Sequence, residues 1–297
     1  MPDLERARSQ GEAREAILFP GQGSQTPEMR RTVELFRPEL LDLALEAVGA
    51  DPFERIDEGT RYVQPAIFCA ALAGWERLRS EARPLAMAGH SLGEIAALVA
   101  AESLSAAAGL RLVAERGRLM QEAAEAAGGG GMLAVLGDRR AAISALAAVN
   151  GLTIANDNSP TQVVLSGPTA SLRAVEDGLR ERGLKTKPLA VRGAFHSPAM
   201  EPAVSPFWAV LAEIEFAAPR VPVFSCVTAR PFADPRDELA RSLTHPVRWL
   251  EVMQALRAAG AERFLEAGPG RVLSGLVRRT LDGVEVSAPL AKEMARA

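Results

Sequence analysis

The sequence predicts an α/β protein: a larger core of alternating strands and helices, interrupted by a small ferredoxin-like unit. Three observations carry this. Short apolar runs end in glycine-bearing turns and pass directly into helical spacing, as at 16–21 and 84–93. After four consecutive glycines, Gly128 to Gly131, the pattern runs βαββαβ, the order of the split βαβ unit. Strand–helix alternation then resumes to the end of the chain. At 297 residues the protein is long for one core, so a large domain with a smaller one inserted is the natural organisation.

Taken in order, residues 1–15 read as a loose leader. Ala16 to Phe19, closed by Pro20-Gly21, predicts a buried strand. Residues 28–48 and 65–80 carry helical apolar spacing. Pro84 to Ala88 predicts a second strand, Glu94 to Glu102 an Ala-rich helix, and 105–127 a long Ala/Leu/Arg-rich helix. In the insert, strands are expected at 132–136, 152–155, 163–166 and 185–191, with helices at 139–149 and 169–182. The tail continues with a strand at 221–227, a helix at 247–259, a strand at 263–266, and a helix that follows Gly268-Pro269-Gly270 and runs to Thr280. The core thus takes 1–127 and 192–297, and the insert 128–191.

Hydrophobic residues make up 48% of the chain and charged residues 24%, a globular balance. The net charge of −3 gives no basic footprint for nucleic acid, so an acidic protein partner has to be met by a local basic patch. The first fifteen residues lack a signal-type apolar region, and the apolar stretch Ile95 to Ala101 is too short to span a bilayer. A soluble, cytoplasmic monomer is expected. Cys69 and Cys226 both sit in apolar runs and read as buried thiols; no metal site and no cofactor is expected.

The strongest chemical signal is Gly89-His90-Ser91-Leu92-Gly93, which fits the Gly-x-Ser-x-Gly nucleophile elbow between a strand and a helix. A sharp turn lifts the serine hydroxyl off the sheet, small residues on either side let the backbone pack, and the N–H of the next residue, Leu92, can hold an oxyanion. The bland alternative is an N-cap serine beside packing glycines. A serine nucleophile needs a base, and the chain has three histidines. His90 is the serine's neighbour and leaves the turn in another direction. His245 precedes Pro246, which favours extended backbone. His196, in the loop Gly193-Ala194-Phe195-His196-Ser197-Pro198 after a predicted strand, is the favoured candidate. The glycine loop Pro20-Gly21-Gln22-Gly23-Ser24-Gln25 has no Lys-Ser/Thr ending and is not a P-loop.

These motifs occur together with Gln64-Pro65-Ala66, Arg116-Gly117-Arg118-Leu119-Met120-Gln121, Pro246-Val247-Arg248-Trp249 and Glu266-Ala267-Gly268-Pro269-Gly270. In that order the set resembles the malonyl-CoA:acyl-carrier-protein transacylases and the related acyltransferases of polyketide synthases. The resemblance covers nearly all of the chain after residue 15. It implies an α/β-hydrolase-like core with an inserted ferredoxin-like subdomain. It implies Ser91 as acylated nucleophile, His196 as base, and backbone N–H groups of Leu92 and Gln22 as oxyanion hole. It further implies Arg116 as the clamp on the malonyl carboxylate, with Gln64 lining the same pocket. Phe195 would limit the size of the acyl group, and a backbone carbonyl near Arg248 would orient the base. Malonyl-CoA and the phosphopantetheine of an acyl carrier protein would be the substrates, in fatty-acid or polyketide biosynthesis. A serine hydrolase that edits acyl groups, and a non-catalytic carrier-binding scaffold, are the competing readings. The Gln25–Gln64 segment is shorter than in the fatty-acid enzymes, and Thr228-Ala229-Arg230-Pro231 resembles stand-alone polyketide acyltransferases.

Overall fold

A computed structural model of the chain describes residues 14–294, so nearly all of the leader expected at 1–15 lies outside the described residues. The main sheet is parallel, with strand order β7-β2-β1-β8-β9. Its strands are β1 (Glu15–Phe19), β2 (Pro84–Gly89), β7 (Val223–Phe224), β8 (Arg263–Glu266) and β9 (Glu285–Ser287). β1 is central, pairing with β2 on one side and β8 on the other. All five of its residues are buried, which explains a continuous apolar run without alternation. The C-terminal ends of β1 and β2 lie side by side, with Phe19 opposite Gly89. The glycine loop and the serine elbow therefore leave the sheet next to each other.

The helices cover this sheet. Residues 28–48 form two helices, α1 (Met29–Phe36) and α2 (Glu39–Val48), where the spacing suggested one. Pro38 between them has no N–H to continue a helical ladder. α3 (Thr60–Leu78) begins five residues before the expected 65 and carries Pro65 inside it. α4 (Gly93–Ala100) follows the elbow, and α5 (Ala106–Ala126) is capped by Ser105, whose side chain accepts from Ala108 N–H. No helix among the described residues is long and apolar enough to cross a membrane.

The second sheet is antiparallel, in the order β4-β5-β3-β6. Its strands are β3 (Gly131–Leu136), β4 (Thr153–Ser159), β5 (Gln162–Gly167) and β6 (Lys185–Pro188), with α6 (Arg140–Val149) after β3 and α7 (Thr169–Glu181) after β5. This is the predicted βαββαβ order, packed around its own apolar cluster of Leu133, Val135, Ile143, Leu165, Val175 and Leu179. β6 stops at Pro188, short of the expected 191. The small sheet is tied to the core through β4: Val247 N–H donates to Ala155 O at 2.8 Å and Asp157 N–H to Val247 O at 2.9 Å. Asp157, an acid without an obvious role in the sequence, pairs with Arg140 at 2.5 Å.

The tail adds α8 (Glu201–Ala212), α9 (Pro235–Arg241), α10 (Trp249–Ala258), α11 (Val272–Thr280) and α12 (Pro289–Met294). β7 keeps only two of the seven residues read as a strand. Beyond Phe224 the chain turns tightly, Ser225 N–H donating to Arg230 O at 2.8 Å and Ala229 holding φ +54°. Helices α8 and α9 and strand β9 were not resolved by periodicity; α8 carries Pro202 and Pro206 in its sequence.

The crossing of α3 and α5 matters most for the site. A Cβ at Gly117 would lie 2.9 Å from the Thr60 carbonyl oxygen and 3.2 Å from Arg61 Cα, so a hydrogen there lets the two helices touch backbone to backbone. Gly117→Val is expected to lower stability by about 1–3 kcal/mol through overpacking. The thermal unfolding midpoint should fall by about 2–4 °C for each kcal/mol. An unchanged midpoint in thermal unfolding would show that the two helices separate freely.

Candidate active site

The elbow is built by backbone packing. His90 N–H donates to Phe19 O at 2.9 Å, hooking the turn onto the end of β1. A Cβ at Gly89 would sit 1.9 Å from the Gly93 carbonyl, and one at Gly93 would sit 2.2 Å from Phe19 O. Only hydrogens fit at both positions, which is the physical content of the motif. Ser91 between them holds φ +55°, a left-handed conformation of the kind that costs a non-glycine residue about 1–3 kcal/mol. Its side chain does not cap α4, whose first turn has no side-chain cap, so the N-cap alternative is set aside.

His196 is brought to that hydroxyl, with Nε2 2.9 Å from Ser91 Oγ. It also holds a left-handed φ, +56°, and is 4% exposed. Its Nδ1 lies 2.7 Å from Ser242 O. A carbonyl only accepts, so Nδ1 carries the proton and Nε2 presents a lone pair to the Ser91 hydroxyl. Burial, and then the positive charge of Arg116, push the imidazole pKa down to about 3, which keeps it neutral at ordinary pH. The other histidines are elsewhere. His90 lies 2.9 Å from Asn158 Oδ1 through Nε2 and packs edge-on against Trp249, linking the elbow to the small sheet. His245 is exposed, with Nδ1 beside Arg241 O at 2.9 Å.

The carbonyl that orients His196 belongs to Ser242, and the expectation that it lies near Arg248 is corrected. Ser242 caps the C-terminus of α9, where helix carbonyls lack intrahelical partners, and it is buried. That orphan acceptor takes the imidazole N–H. Arg248 is engaged on the other side of this segment: its N–H donates to Cys226 O at 3.0 Å, its carbonyl accepts from Val252 N–H, and its guanidinium pairs with Glu251 and donates to Val227 O.

Arg116 is the third group at the serine. It is 1% exposed, on the face of α5 turned toward the elbow. Nη2 donates to Ser91 Oγ at 3.1 Å and Nη1 to Gln64 Oε1 at 2.8 Å. No carboxylate among the described residues lies within ion-pair distance of it. Burial lowers its pKa to about 10, so it stays a cation. The hydrogen bonds continue outward. Gln64 Nε2 donates to Thr60 Oγ1 at 3.0 Å and reaches Met120 Sδ at 3.4 Å, and Thr60 Oγ1 donates to Gln22 Oε1 at 2.9 Å. Thr60 and Met120 were not assigned from the sequence. Neither belongs to a residue type that marks a site, and both enter through helix packing.

The backbone N–H groups of Leu92 and Gln22 donate to no protein acceptor among the described residues. Gln22 follows Gly21, where a Cβ would meet the His90 carbonyl oxygen at 2.4 Å, so the first loop lies directly against the elbow. Two free donors thus flank the serine turn. Phe195 is buried and folds over Gly193, which also lies against Ala124, a position on α5 two turns beyond Arg116. Both cysteines are unpaired and buried.

Residues 17–296 match the acyl transferase domain family. The polyketide biosynthesis protein ThaF of Burkholderia thailandensis is 40% identical over 289 residues, covering 92% of this chain and 25% of that protein. The malonyl CoA-acyl carrier protein transacylase of Salmonella typhimurium is 36% identical over 293 residues, covering 92% of this chain and 94% of that enzyme. The crystal structure of the malonyl-CoA:acyl carrier protein transacylase of Xanthomonas oryzae has a TM-score of 0.87 at 37% identity, over 96% of this chain and 98% of that one.

The geometry sets the pH behaviour of the serine. Because His196 is already neutral above about pH 3, modification of Ser91 by an acyl thioester should proceed at a constant rate from about pH 5 to 7. An acid limb centred near 6.5 in single-turnover acylation would contradict the placement of His196 beside Arg116. In the same assay His196→Ala should slow acylation by about 10²–10⁴. Arg248→Ala should change it little.

Proposed function

The chain belongs to the acyl transferase domain family, and on that premise we propose that it moves a malonyl group from malonyl-CoA to the phosphopantetheine thiol of an acyl carrier protein. The observation that carries the choice of acyl group is Arg116, a buried cation with no carboxylate partner, 3.1 Å from the nucleophile. A planar guanidinium suits a bidentate grip on a carboxylate, and an acyl group with a free carboxylate supplies the missing anion.

The cycle has two half-reactions. His196 Nε2 takes the Ser91 proton as Oγ attacks the thioester carbonyl, and the oxyanion is received by the N–H groups of Leu92 and Gln22. Collapse breaks the carbon–sulfur bond, the proton returns from His196 to the departing thiol, and malonyl-Ser91 remains. The carrier's thiol then gives its proton to His196 and attacks the ester. The second collapse expels Ser91 Oγ, which recovers the proton. Arg116 and Gln64 hold the malonyl carboxylate throughout, and Phe195 closes the pocket against bulk on the middle carbon. The exposed large apolar residues, Leu35, Leu45, Val149, Trp208 and Val272, lie on separate helices, which supports a monomer. The two unpaired cysteines suit the cytoplasm.

Two outcomes test this. Ser91→Ala should fold normally yet form no malonyl adduct by intact mass after malonyl-CoA; a full adduct on the variant would move the nucleophile elsewhere. Arg116→Ala should lower malonyl transfer by about 10²–10³, the loss typical of removing one partner of a desolvated charge pair. Acetyl transfer should fall far less. An unchanged ratio of malonyl to acetyl acylation would remove the clamp.

A further inference from the structure

Directly behind the nucleophile lies a carboxyl group that the proposed reaction does not use. Glu94 stands in the first turn of α4, three residues after Ser91, and is 0% exposed. Its Oε1 accepts the N–H of Cys226 at 2.7 Å. Its Oε2 has no hydrogen-bond partner among the described residues. An ionised carboxylate with one bare oxygen in a dry interior is costly, more so than the protonated acid with its unpaired O–H.

The groups that face it act unequally. Glu238 on α9 is a buried carboxylate with its own donors, Ala233 N–H at 2.8 Å, Asp234 N–H at 3.3 Å and Thr228 Oγ1 at 2.9 Å. It repels a second negative charge nearby. The Cys226 thiol donates to Gly89 O at 3.0 Å and stays protonated. Arg116 on α5 attracts a charge on Glu94, but from beyond ion-pair distance, its donors being held by Ser91 and Gln64. Burial is the largest influence, and it raises the Glu94 pKa to about 8.

We propose that Glu94, held as the neutral acid behind the elbow, sets the charge of the acyl pocket and thereby makes Arg116 demand a carboxylate-bearing acyl group. The inference rests on the malonyl-transfer reading. With Glu94 protonated, Arg116 is an uncompensated cation and the malonyl carboxylate completes the pair. When Glu94 loses its proton to solvent, the pocket is neutral before substrate arrives, and the incoming carboxylate meets an anion behind the serine. An acetyl group carries no charge and does not sense that repulsion. The other groups at the site change little between about pH 6 and 9. His196 titrates at about 3, Arg116 at about 10, burial lowers the pKa of His90, and the Cys226 thiol is well above its usual value. The sign is therefore fixed: discrimination for malonyl is greatest below the Glu94 midpoint and falls as pH rises through it.

The experiment measures single-turnover acylation of Ser91 from malonyl-CoA and from acetyl-CoA, side by side, between about pH 6 and 9, a range that brackets the raised Glu94 carboxyl and stays below Arg116. In the native enzyme the malonyl-to-acetyl ratio should fall by about five- to a hundredfold across the range, the size of a typical coupling between two charged sites. Glu94→Gln keeps an uncharged side chain and an acceptor for the Cys226 N–H, and its ratio should stay at the low-pH value throughout. A flat ratio in the native enzyme, or the same fall in Glu94→Gln, overturns the inference. Absence of any malonyl preference, at every pH and in both proteins, overturns the malonyl-transfer reading itself. If Glu94→Gln does not fold, infrared difference spectra of the native protein decide. A buried carboxylic-acid carbonyl band present near pH 6, lost by about pH 9 and retained in Glu266→Gln, whose own buried carboxyl is also raised, supports the neutral acid, and its absence near pH 6 overturns it.

Discussion

The constraint on which the site depends is the buried charge of Arg116. A guanidinium removed from water without a counterion is among the more expensive things a fold can contain. Here it is kept by hydrogen bonds alone: Gln64 Oε1 and Ser91 Oγ take two of its donors. Gln64 is in place because α3 and α5 touch at Gly117 and because Thr60 and Gln22 extend its hydrogen bonds to the first loop, and Ser91 because the elbow packs on the end of β1. The arrangement satisfies geometry and leaves charge unsatisfied. A protein selected for stability alone would place a carboxylate there or replace the arginine.

The same charge governs the base. Arg116 Nη2 and His196 Nε2 contact one hydroxyl at 3.1 and 2.9 Å, and at an effective dielectric near 20 two unit charges roughly 5–6 Å apart repel by about 3 kcal/mol. Behind the imidazole stands the Ser242 carbonyl, a dipole and not an anion. The resting site is therefore hostile to imidazolium, as the pKa of about 3 reflects. In the reaction we propose, a carboxylate on Arg116 removes much of that repulsion at the moment the imidazole must accept the serine proton. Acyl selectivity and base strength are thus one electrostatic quantity, expressed in acylation as well as in binding.

What the sequence made legible follows from what leaves a residue-type signature. The elbow was readable because close backbone approach admits only glycine at 89 and 93, and β1 because a central parallel strand is apolar over Ala16 to Phe19. The βαββαβ insert was readable because its own small core imposes period on its strands and helices. The orienting carbonyl was not, since any residue at 242 offers the same acceptor; only the end of α9 makes it free. The division of 28–48 turned on one proline, and β7 was overread because Val221 to Val227 is apolar for reasons of burial in a turn. Thr60 joins the site through the packing of α3 on α5, a contact between residues far apart in sequence.

The two halves of the site are built from different materials. Ser91 and His196 are both positioned by backbone: each holds a positive φ, one fixed by glycine packing against β1, the other by a carbonyl at a helix end. Side-chain replacement around them has little leverage on their 2.9 Å contact. The acyl pocket we propose, in contrast, consists of side chains, Arg116, Gln64, Met120 and Phe195, with Glu94 beneath. The geometry of the dyad is therefore insulated from substitution, while selectivity and, through Arg116, base strength are exposed to it. A backbone-built reaction centre beside a side-chain-built pocket can change its acyl group by altering volume or charge at those few positions without rebuilding the elbow. On the proposed function the polar cost of the buried arginine is tolerable for the same reason: it falls on the part of the site that would specify the substrate, and the substrate's own carboxylate would offset it.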